Sequence, residues 1–202
     1  MGKEISGEFS LDDKCQLARV TQQVLNHCAS FSCGEEDLDD FFAHDAIAYE
    51  NELMGKTYCW VLRDDVTKIV GMITLANAGI QTTHMRNHPR RKLNKLIPYT
   101  KQGRTYPAVL IGRLGVSIDF QGEKYRVGAQ IMDFIKSWFR SYDNKTGCRF
   151  ILVDAVNNDH AIKYYERNGF LPLFPRISDE KEFYNIPDSD MLRTRMYYFD
   201  LL

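Results

Sequence analysis

The chain lacks several features that would place it outside the class of globular intracellular proteins. No apolar run approaches the roughly 20 residues needed to cross a bilayer. The first residues, MGKEISGEFSLDDK, lack the apolar core of a secretory signal peptide. The five cysteines are an odd number without the paired spacing of a metal site. These absences predict a cytoplasmic protein with reduced thiols and no bound metal.

Acidic side chains are missing from one long stretch. Residues 66–118 contain no Asp or Glu, although the net charge of the chain is only −1 and residues 35–52 are acidic. This asymmetry favours an anionic partner. The basic cluster from His84 to Lys95 either contacts RNA or phosphate, or forms a solvated lid or a dimer-facing loop. The basic residues of the stretch are Lys68, Arg86, Arg90, Arg91, Lys92, Lys95, Lys101, Arg104 and Arg113.

The 202 residues have an ordinary globular composition, with 44% apolar and 26% charged residues. This length suits one domain, residues 1–202, with a substantial core. Alternating and helical periodicities predict a β-α-β-β-β-α-β-α-β-β order, with a long basic loop at about 77–107 and an irregular segment at 175–190. Predicted strands cover 15–20, 57–63, 68–75, 108–116, 149–156, 170–174 and 194–201; predicted helices cover 22–27, 35–54, 127–139 and 157–168.

The chain is organised around a strand, a turn and a helix. Ala108 to Val116 is apolar and rich in β-branched residues, as expected of a buried strand. After a polar turn, apolar residues from Ile131 to Phe139 recur at spacings of three and four, which predicts an amphipathic helix. A strand followed by a glycine-bearing turn and a helix presents unpaired backbone N–H groups that suit a phosphate.

The residues of this unit carry a resemblance to a known family. Arg113-Leu114-Gly115-Val116, Gln121-Gly122 and Val127-Gly128-Ala129 resemble the acetyl-CoA-binding motif of the GNAT N-acetyltransferases. The resemblance implies an α/β fold with a mixed, mostly antiparallel central sheet flanked by helices. It also implies acetyl-CoA as co-substrate and direct transfer of the acetyl group to a primary amine. The implied cofactor-binding residues are Leu114, Gly115, Val116, Gln121, Gly122, Arg126, Val127, Gly128, Ala129 and Asn158.

The turn departs from the family pattern at one position. The family usually has Gly two residues before Gly128, where this chain has Arg126, and Gln121-Gly122 comes two residues early. Arg cannot adopt a positive φ as cheaply as Gly. Its guanidinium can nevertheless add a charge-assisted bond to a phosphate. The departure leaves open a second interpretation, a CoA-binding GNAT-fold module with little or no turnover.

A second match lies downstream of the first. Asn158-Asp159-His160-Ala161 and the segment from Tyr164 to Phe170 resemble the family's Asn-x-x-Ala and Tyr-Glu-x-x-Gly-Phe motifs, in the same order and spacing. The resemblance makes Asn158 a cofactor-side residue, although Asn also suits a helix N-cap. It makes Tyr165 the acid that protonates the departing CoA thiolate, although an aromatic core residue is the alternative.

The sequence does not identify the group that deprotonates the amine. Asp154 stands near a predicted strand end and could serve, but an Asp there equally fits a turn, and a water relay is a further alternative. The backbone N–H of Val116 is expected to polarise the thioester carbonyl.

The acceptor is suggested only by a weaker resemblance. Phe31-x-Cys33-Gly34-x-x-x-Leu38-Asp39 is similar to a signature near the start of toxin-type GNAT proteins, but a helix start followed by core residues explains it as well. Toxin-type members acetylate the α-amino group of aminoacyl-tRNA and pair with a small antitoxin. The basic residues at 84–104 are compatible with tRNA. A small-molecule or protein amine remains an alternative acceptor, and a homodimer remains open.

Overall fold

The computed structural model describes residues 9–81, 83, 85, 87, 90–91 and 105–202. Seven strands form one sheet in the order β1-β2-β3-β4-β5-β7-β6. β4 pairs parallel with β5, whereas β1 with β2, β2 with β3, β5 with β7 and β6 with β7 are antiparallel. The predicted mixed, mostly antiparallel sheet flanked by helices is therefore confirmed. The strands are β1 Cys15–Arg19, β2 Lys56–Leu62, β3 Ile69–Gln81, β4 Thr105–Val116, β5 Phe150–Val156, β6 Leu171–Pro172 and β7 Thr194–Asp200.

The helices surround these strands in the chain order that the periodicities predicted, with two additions. The α-helices are Leu11–Lys14, Gln22–His27, Glu36–Asp40, Ala46–Asn51, Val127–Arg140 (the central helix), Asp159–Arg167 (the Tyr165 helix) and Ile177–Phe183. None of the helices in the described ranges is both long and apolar enough to span a membrane. Residue contacts divide the chain into two compact units, Met1–Ala76 with Gly112–Ser137 and Asn77–Ile111 with Trp138–Leu202.

In the first unit, the helix predicted at 35–54 is interrupted. A π-helical turn, Phe41–Asp45, separates Glu36–Asp40 from Ala46–Asn51. The consecutive rings of Phe41 and Phe42 are both buried in this turn. A regular α-helix would turn adjacent side chains about 100° apart, and the wider π turn allows both rings to pack inward.

The central helix packs on the first unit's strands through a contact that requires glycine. A Cβ atom on Gly71 of β3 would lie 2.8 Å from Cδ1 of Ile131 and 3.3 Å from the carbonyl oxygen of Gly115. Gly71 pairs with Trp60, and the β2–β3 register shifts immediately after Trp60. Trp60 in turn packs edge-to-face on Phe134, with ring centroids 5.5 Å apart. Glycine at this point therefore keeps the helix close to the strand backbone.

In the second unit, β3 and β4 extend into the segment predicted as a long loop. β3 continues past Leu75 to Gln81, and β4 begins at Thr105 rather than Ala108. A Cβ on Gly79 would lie 2.4 Å from Cγ2 of Thr105, so the two strands approach closely here. Apart from the buried Ile80, the residues added to β3 are small or polar, so they show no alternating hydrophobic pattern in the sequence.

The segment 175–190, predicted as irregular, contains the helix Ile177–Phe183. The prediction was wrong because the helix has a polar sequence, ISDEKEF, and depends on a buried carboxylate, that of Glu180. The strand predicted at 170–174 is also shorter than expected, since β6 covers only Leu171–Pro172. A core cluster of this unit contains Ile80, Met85, Ala108, Phe150, Leu152, Leu173, Phe174 and Tyr198.

Much of the basic cluster at His84 to Lys95 lies outside the described residues, including His84, Lys92 and Lys95. The described positions Asn87, Arg90 and Arg91 are helical. The Arg90 guanidinium donates hydrogen bonds to the backbone oxygen of Thr83 and to Oδ1 of Asn87. Its donors therefore help to hold the local turn.

Candidate active site

The strand end that carries Leu114, Gly115 and Val116 is tightly packed at Gly115. A Cβ on Gly115 would lie 3.1 Å from Cε2 of Phe42 and 3.2 Å from both Cβ and Sγ of Cys33. Any larger residue would push these side chains away and displace the backbone of β4. Gly115 therefore fixes the position of the backbone along which the resemblance places the pantetheine arm.

The turn after β4 is held by Gln121. Its side-chain amide nitrogen donates to the carbonyl oxygens of Cys33 and Val116, both at 2.8 Å. The predicted cofactor residue Gln121 thus has its amide donors engaged within the protein. Gly122 follows with φ of +93°, and a Cβ there would meet no atom within 4 Å. Backbone conformation rather than crowding is therefore the reason for glycine at this position.

Arg126 has a positive φ, the backbone conformation for which glycine is usual at this position of the family motif. Its φ is +49°, in the left-handed region that costs an L-residue about 1–2 kcal/mol. Its N–H donates to the carbonyl of Gly122, and its own carbonyl accepts from the N–H of Gln130 as the central helix begins. The turn keeps its left-handed geometry despite the substitution, and the exposed guanidinium stands at the start of the helix.

The first turn of the central helix contains Val127, Gly128 and Ala129, with Val127 buried and the other two partly exposed. The first amides of any helix have no partner within the helix, and its dipole favours an anion there. Such a terminus suits the pyrophosphate of CoA, as the resemblance implies.

Sequence reasoning missed the role of Gln130 in the same turn. Its Nε2 donates to the carbonyls of Phe9 and Tyr125 at 2.8 Å, and its Oε1 accepts from the N–H of Leu11 at 2.7 Å. The rings of Phe9, Phe120 and Tyr125 pack on one another with centroids 5.5–5.6 Å apart. These contacts hold the N-terminal segment beside the turn. They join residues that are more than a hundred positions apart in the chain, so no local sequence pattern reveals them.

The Phe31–Asp39 signature has a structural explanation. Asp39 accepts hydrogen bonds from the N–H of Cys33 at 2.7 Å and from the hydroxyl of Ser32 at 2.6 Å. Burial alone would raise the pKa of Asp39, but these hydrogen bonds outweigh it and lower the pKa. Because Cys33 also contacts Gly115 and accepts from Gln121, the signature supports the strand end and the turn.

Arg113, which entered the resemblance, stacks on an aromatic ring. Its guanidinium carbon lies 3.6 Å from the ring centroid of Phe41 and 5.3 Å from that of Tyr49. These are cation–π distances, and they connect β4 to the π-helical turn and the helix after it.

In the second unit, Asn158 caps the Tyr165 helix. Its Oδ1 accepts from the N–H of Ala161 at 2.8 Å, and its backbone is extended, with φ −128° and ψ 159°. The N-cap interpretation is therefore confirmed. The cap uses the side-chain oxygen and leaves the exposed residue compatible with the cofactor role that the resemblance implies.

Tyr165 points inward from the same helix and is 9% exposed. Its ring packs edge-to-face against Tyr164 and Phe170, with centroids 5.1 and 5.6 Å away. Burial raises the pKa of its phenol well above the ordinary value near 10. Within the described part of the chain, no residue forms a hydrogen bond with this hydroxyl. The phenol therefore stays protonated at neutral pH and can donate to a ligand.

The remaining residues of the second motif support Tyr165. Glu166 accepts a hydrogen bond from the hydroxyl of Tyr197 on β7 at 3.3 Å. Gly169 has φ of +82°, and a Cβ there would lie 3.3 Å from Cε2 of Phe199. Within the Tyr-Glu-x-x-Gly-Phe motif, Gly169 therefore ends the helix, and Phe170 packs against both Tyr165 and Phe199.

A mostly antiparallel sheet with a strand, a glycine turn and a helix, followed by a capped helix bearing a buried tyrosine, is the architecture of an acyl-CoA-dependent N-acyltransferase. The family profile described as "Acetyltransferase (GNAT) domain" matches residues 55–172, which is more than half of the chain, and the chain belongs to this family. It is an acyl-CoA-dependent N-acyltransferase.

Solved structures show the same fold over nearly the whole chain. AtaT in complex with acetyl-methionyl-tRNAfMet is 19% identical with a TM-score of 0.62, covering 92% of this chain and 94% of that one. AtaTR bound with acetyl-CoA is 21% identical with a TM-score of 0.60, covering 94% and 95%. A mutant AtaT toxin bound to the C-terminus of the antitoxin AtaR is 19% identical with a TM-score of 0.56, covering 94% and 93%. A search of curated protein sequences finds no significant match.

Proposed function

We propose that this enzyme transfers the acetyl group of acetyl-CoA to the α-amino group of an aminoacyl-tRNA, as a toxin-type GNAT protein does. The observation that carries the proposal is the likeness in fold to AtaT, which was solved with acetyl-methionyl-tRNAfMet, over 92% of this chain. The acid-free, basic stretch at 66–118 supports an RNA acceptor, because phosphate contacts dominate affinity for nucleic acids.

In this proposal the cofactor lies along the end of β4. The backbone of Leu114, Gly115 and Val116 pairs with the pantetheine arm, and the Val116 N–H polarises the thioester carbonyl. The turn from Gln121 to Ala129 and the N-terminus of the central helix hold the pyrophosphate. Asn158 contacts the cofactor while it caps its helix, and Tyr165 donates its proton to the departing thiolate.

A small-molecule or protein amine is the second candidate acceptor. It is favoured by the net charge of −1 and by the acidic residues at 35–52, which would repel RNA. Release of CoA thiol, measured over a panel that contains charged tRNA, amino-acid amides, polyamines and lysine peptides, separates the candidates. Turnover with charged tRNA and none with polyamines or lysine peptides supports the proposal, and the reverse pattern contradicts it.

A small antitoxin is the proposed macromolecular partner. The proposal is supported by the structure of the AtaT relative with the C-terminus of the antitoxin AtaR. If the enzyme is such a toxin, its expression alone slows bacterial growth, and co-expression with its antitoxin restores growth.

Acetyl-CoA should stabilise the protein through simple linkage. A ligand that binds only the folded state at 100 times its dissociation constant adds about 2.7 kcal/mol to the free energy of unfolding. We expect the melting temperature to rise with acetyl-CoA concentration, as measured by differential scanning fluorimetry. Acetylated cysteamine, which lacks the nucleotide, is the control and should give no shift at the same concentration. Absence of binding by calorimetry at millimolar acetyl-CoA would contradict cofactor use by this chain.

The role of Arg126 can be separated into charge and backbone conformation. Arg126→Gly and Arg126→Ala both remove the guanidinium, but only glycine relieves the positive φ of this position. We expect Arg126→Gly to equal or exceed the wild-type stability by up to about 1 kcal/mol, and Arg126→Ala to bring no gain. Urea unfolding measures both.

If the guanidinium meets the 3′-phosphate, both Arg126 variants should weaken CoA binding more than dephospho-CoA binding, measured by calorimetry. Equal losses for the two ligands would exclude that contact. No loss for either ligand would mean that Arg126 shapes the turn alone.

The basic stretch provides a direct test of the RNA acceptor. Replacing Arg90, Arg91, Lys92 and Lys95 by Gln should weaken tRNA binding and lower its salt dependence by roughly 0.7–0.9 log units for each phosphate that these side chains neutralise. A control variant removes equal charge at four exposed positions elsewhere, Lys14, Lys56, Lys145 and Arg167. Equal tRNA affinities for the two variants over a salt series would favour a small-amine acceptor.

A further inference from the structure

Asp154 is the first residue of β5 beyond its ladder with β4. That ladder runs from Ala108↔Phe150 to Ile111↔Val153, whereas the pairing of β5 with β7 continues to Val156. Among the described residues, the β5 backbone at Asp154 therefore pairs with β7 on one side and with no strand on the other, where the chain presents an exposed carboxylate. In the described ranges, that carboxylate has neither a hydrogen bond nor an ion pair with another residue.

The surroundings of Asp154 are aromatic and uncharged. Asp154 lies directly opposite Met196 on β7, so their side chains share one face of the sheet. The hydroxyl of Tyr184 lies 3.9 Å from Sδ of Met196. The Tyr184 ring belongs to a cluster with Phe174 and Phe183, whose centroids are 4.9–6.3 Å apart. Phe183 is 49% exposed and Tyr184 is 41% exposed, so this aromatic wall faces solvent beside the carboxylate.

Glu180, on the helix that carries Phe183, is neutralised within the protein. Glu180 is fully buried and accepts hydrogen bonds from Nε of Arg195 and the N–H of Met196. Ile80 and Met85, which pack on the same core cluster, bring no charge. Burial raises the pKa of Tyr184 to about 12, and the charges of Asp154 and Glu180 contribute, so its phenol remains neutral. Asp154 is then the uncompensated anion of this wall.

We infer that Asp154 and the aromatic wall of Phe183 and Tyr184 form the binding site for the acceptor's α-ammonium group and its apolar side chain. A carboxylate attracts the ammonium, and the ring faces add cation–π attraction and apolar contact. This inference rests on the proposed N-acetylation of an α-amine and assigns the acceptor side of that reaction.

The position of Tyr165 agrees with this assignment. Glu166, adjacent to Tyr165 in the chain, contacts Tyr197 of β7, and Phe170, whose ring packs on Tyr165, contacts Phe199 of β7. The side chains of Tyr197 and Phe199 alternate with that of Met196. Asp154 and the Tyr165 helix therefore lie on opposite faces of the β5–β7 pair. In direct transfer the nitrogen and the sulfur are bonded to the same carbon, so both groups must reach that carbon. This placement is compatible with an amine that enters from one side and a thiolate that leaves on the other.

The proton and electron balance is closed by groups already named. The ammonium gives one proton to the Asp154 carboxylate, and its nitrogen lone pair forms the N–C bond to the acetyl carbon. The C–S bond breaks, and the thiolate takes its proton from the Tyr165 phenol. Asp154 releases this proton to solvent and then takes the second proton from the nitrogen as the C–S bond breaks, which leaves a neutral amide. Asp154 passes that proton to solvent as well, and Tyr165 regains one from solvent.

The test is Asp154→Asn, assayed with acetyl-CoA and methioninamide, a small α-amine with an apolar side chain. The kcat/KM for methioninamide should fall by about 10²–10⁴ at pH 6.5, while the KM for acetyl-CoA is unchanged. An α-amine titrates near pH 7.7–8.0. Below that range, each increase of one pH unit raises the concentration of the neutral amine, which the variant can use, about tenfold. The defect should therefore shrink between pH 6.5 and 9. Asp143→Asn, an exposed aspartate in a turn of the same unit, is the matched control.

A defect that is equal at all pH values, or no defect, would overturn the inference. Binding of methioninamide, followed by NMR titration, gives a result independent of turnover. Binding by the wild type that Asp154→Asn abolishes supports the site even if no amine is acetylated, in which case only the proposed function fails. Absence of binding by the wild type overturns the site, whatever acceptor the enzyme uses.

Discussion

Replacing Tyr165 by Phe should lower turnover by about 10²–10⁴-fold, the range that general acid catalysis contributes. The substitution keeps the ring that packs on Tyr164 and Phe170 and removes only the hydroxyl. Because that hydroxyl has no hydrogen-bond partner in the described part of the chain, its loss should change the melting temperature little. Acetyl-CoA affinity should also be nearly unchanged. Steady-state thiol release, calorimetry and a thermal melt measure the three quantities.

The raised pKa of Tyr165 adds a pH dependence to this prediction. A phenol whose pKa is raised by burial keeps its proton beyond the ordinary value near 10, so its ionisation should not reduce the rate between pH 7 and 10. In the proposed complex the developing thiolate lies in the same low-dielectric surroundings, which would increase its own affinity for a proton. The wild-type rate should therefore show no alkaline fall from Tyr165 in this window.

Tyr164→Phe is the matched control for Tyr165→Phe, since it removes a hydroxyl from the neighbouring, more exposed ring. It should leave turnover within a few-fold of the wild type. Full activity of a folded Tyr165→Phe variant would show that the thiolate takes its proton from water or from another residue.

Replacing Glu180 by Met should cost about 3–5 kcal/mol of stability, the typical result of breaking a buried ion pair. The Glu180 carboxylate is 0% exposed and binds Nε of Arg195 at 3.1 Å and the N–H of Met196 at 2.6 Å. Without it, Arg195, whose side chain is only 13% exposed, and the Met196 amide both lose this acceptor. Urea unfolding, read as the free energy of unfolding, measures the destabilisation.

Two further variants make the Glu180 prediction specific. The double variant Glu180→Met with Arg195→Met removes both charges and should be more stable than Glu180→Met alone. Asp179→Asn, on the adjacent residue, breaks a surface pair with Arg176 and should cost at most about 1 kcal/mol. Equal destabilisation by Glu180→Met and Asp179→Asn would contradict the structural importance of the buried pair.

The sequence by itself determined the elements whose stabilising contacts are local. The central helix was predicted from the spacing of Ile131, Met132 and Ile135, all of which are buried. The cap of the Tyr165 helix could be read from Asn158, because the cap binds an amide three residues away. Strand, turn and helix follow one another along the chain, so the family motif could also be recognised without coordinates.

Only the tertiary structure decided the features that depend on distant residues. The helix at Ile177–Phe183 requires a carboxylate neutralised from β7, and the turn at Gln121 requires the carbonyl of Cys33, 88 residues earlier. The positive φ of Arg126 likewise appears only when the surrounding contacts impose it. The sequence showed Asp154 only as an acidic residue near a predicted strand end. The registers of β5 with β4 and β7 place it beyond the β4–β5 ladder and opposite Met196. Such contacts gain their energy from groups brought together by folding, and periodicity and capping rules describe only neighbours in the chain.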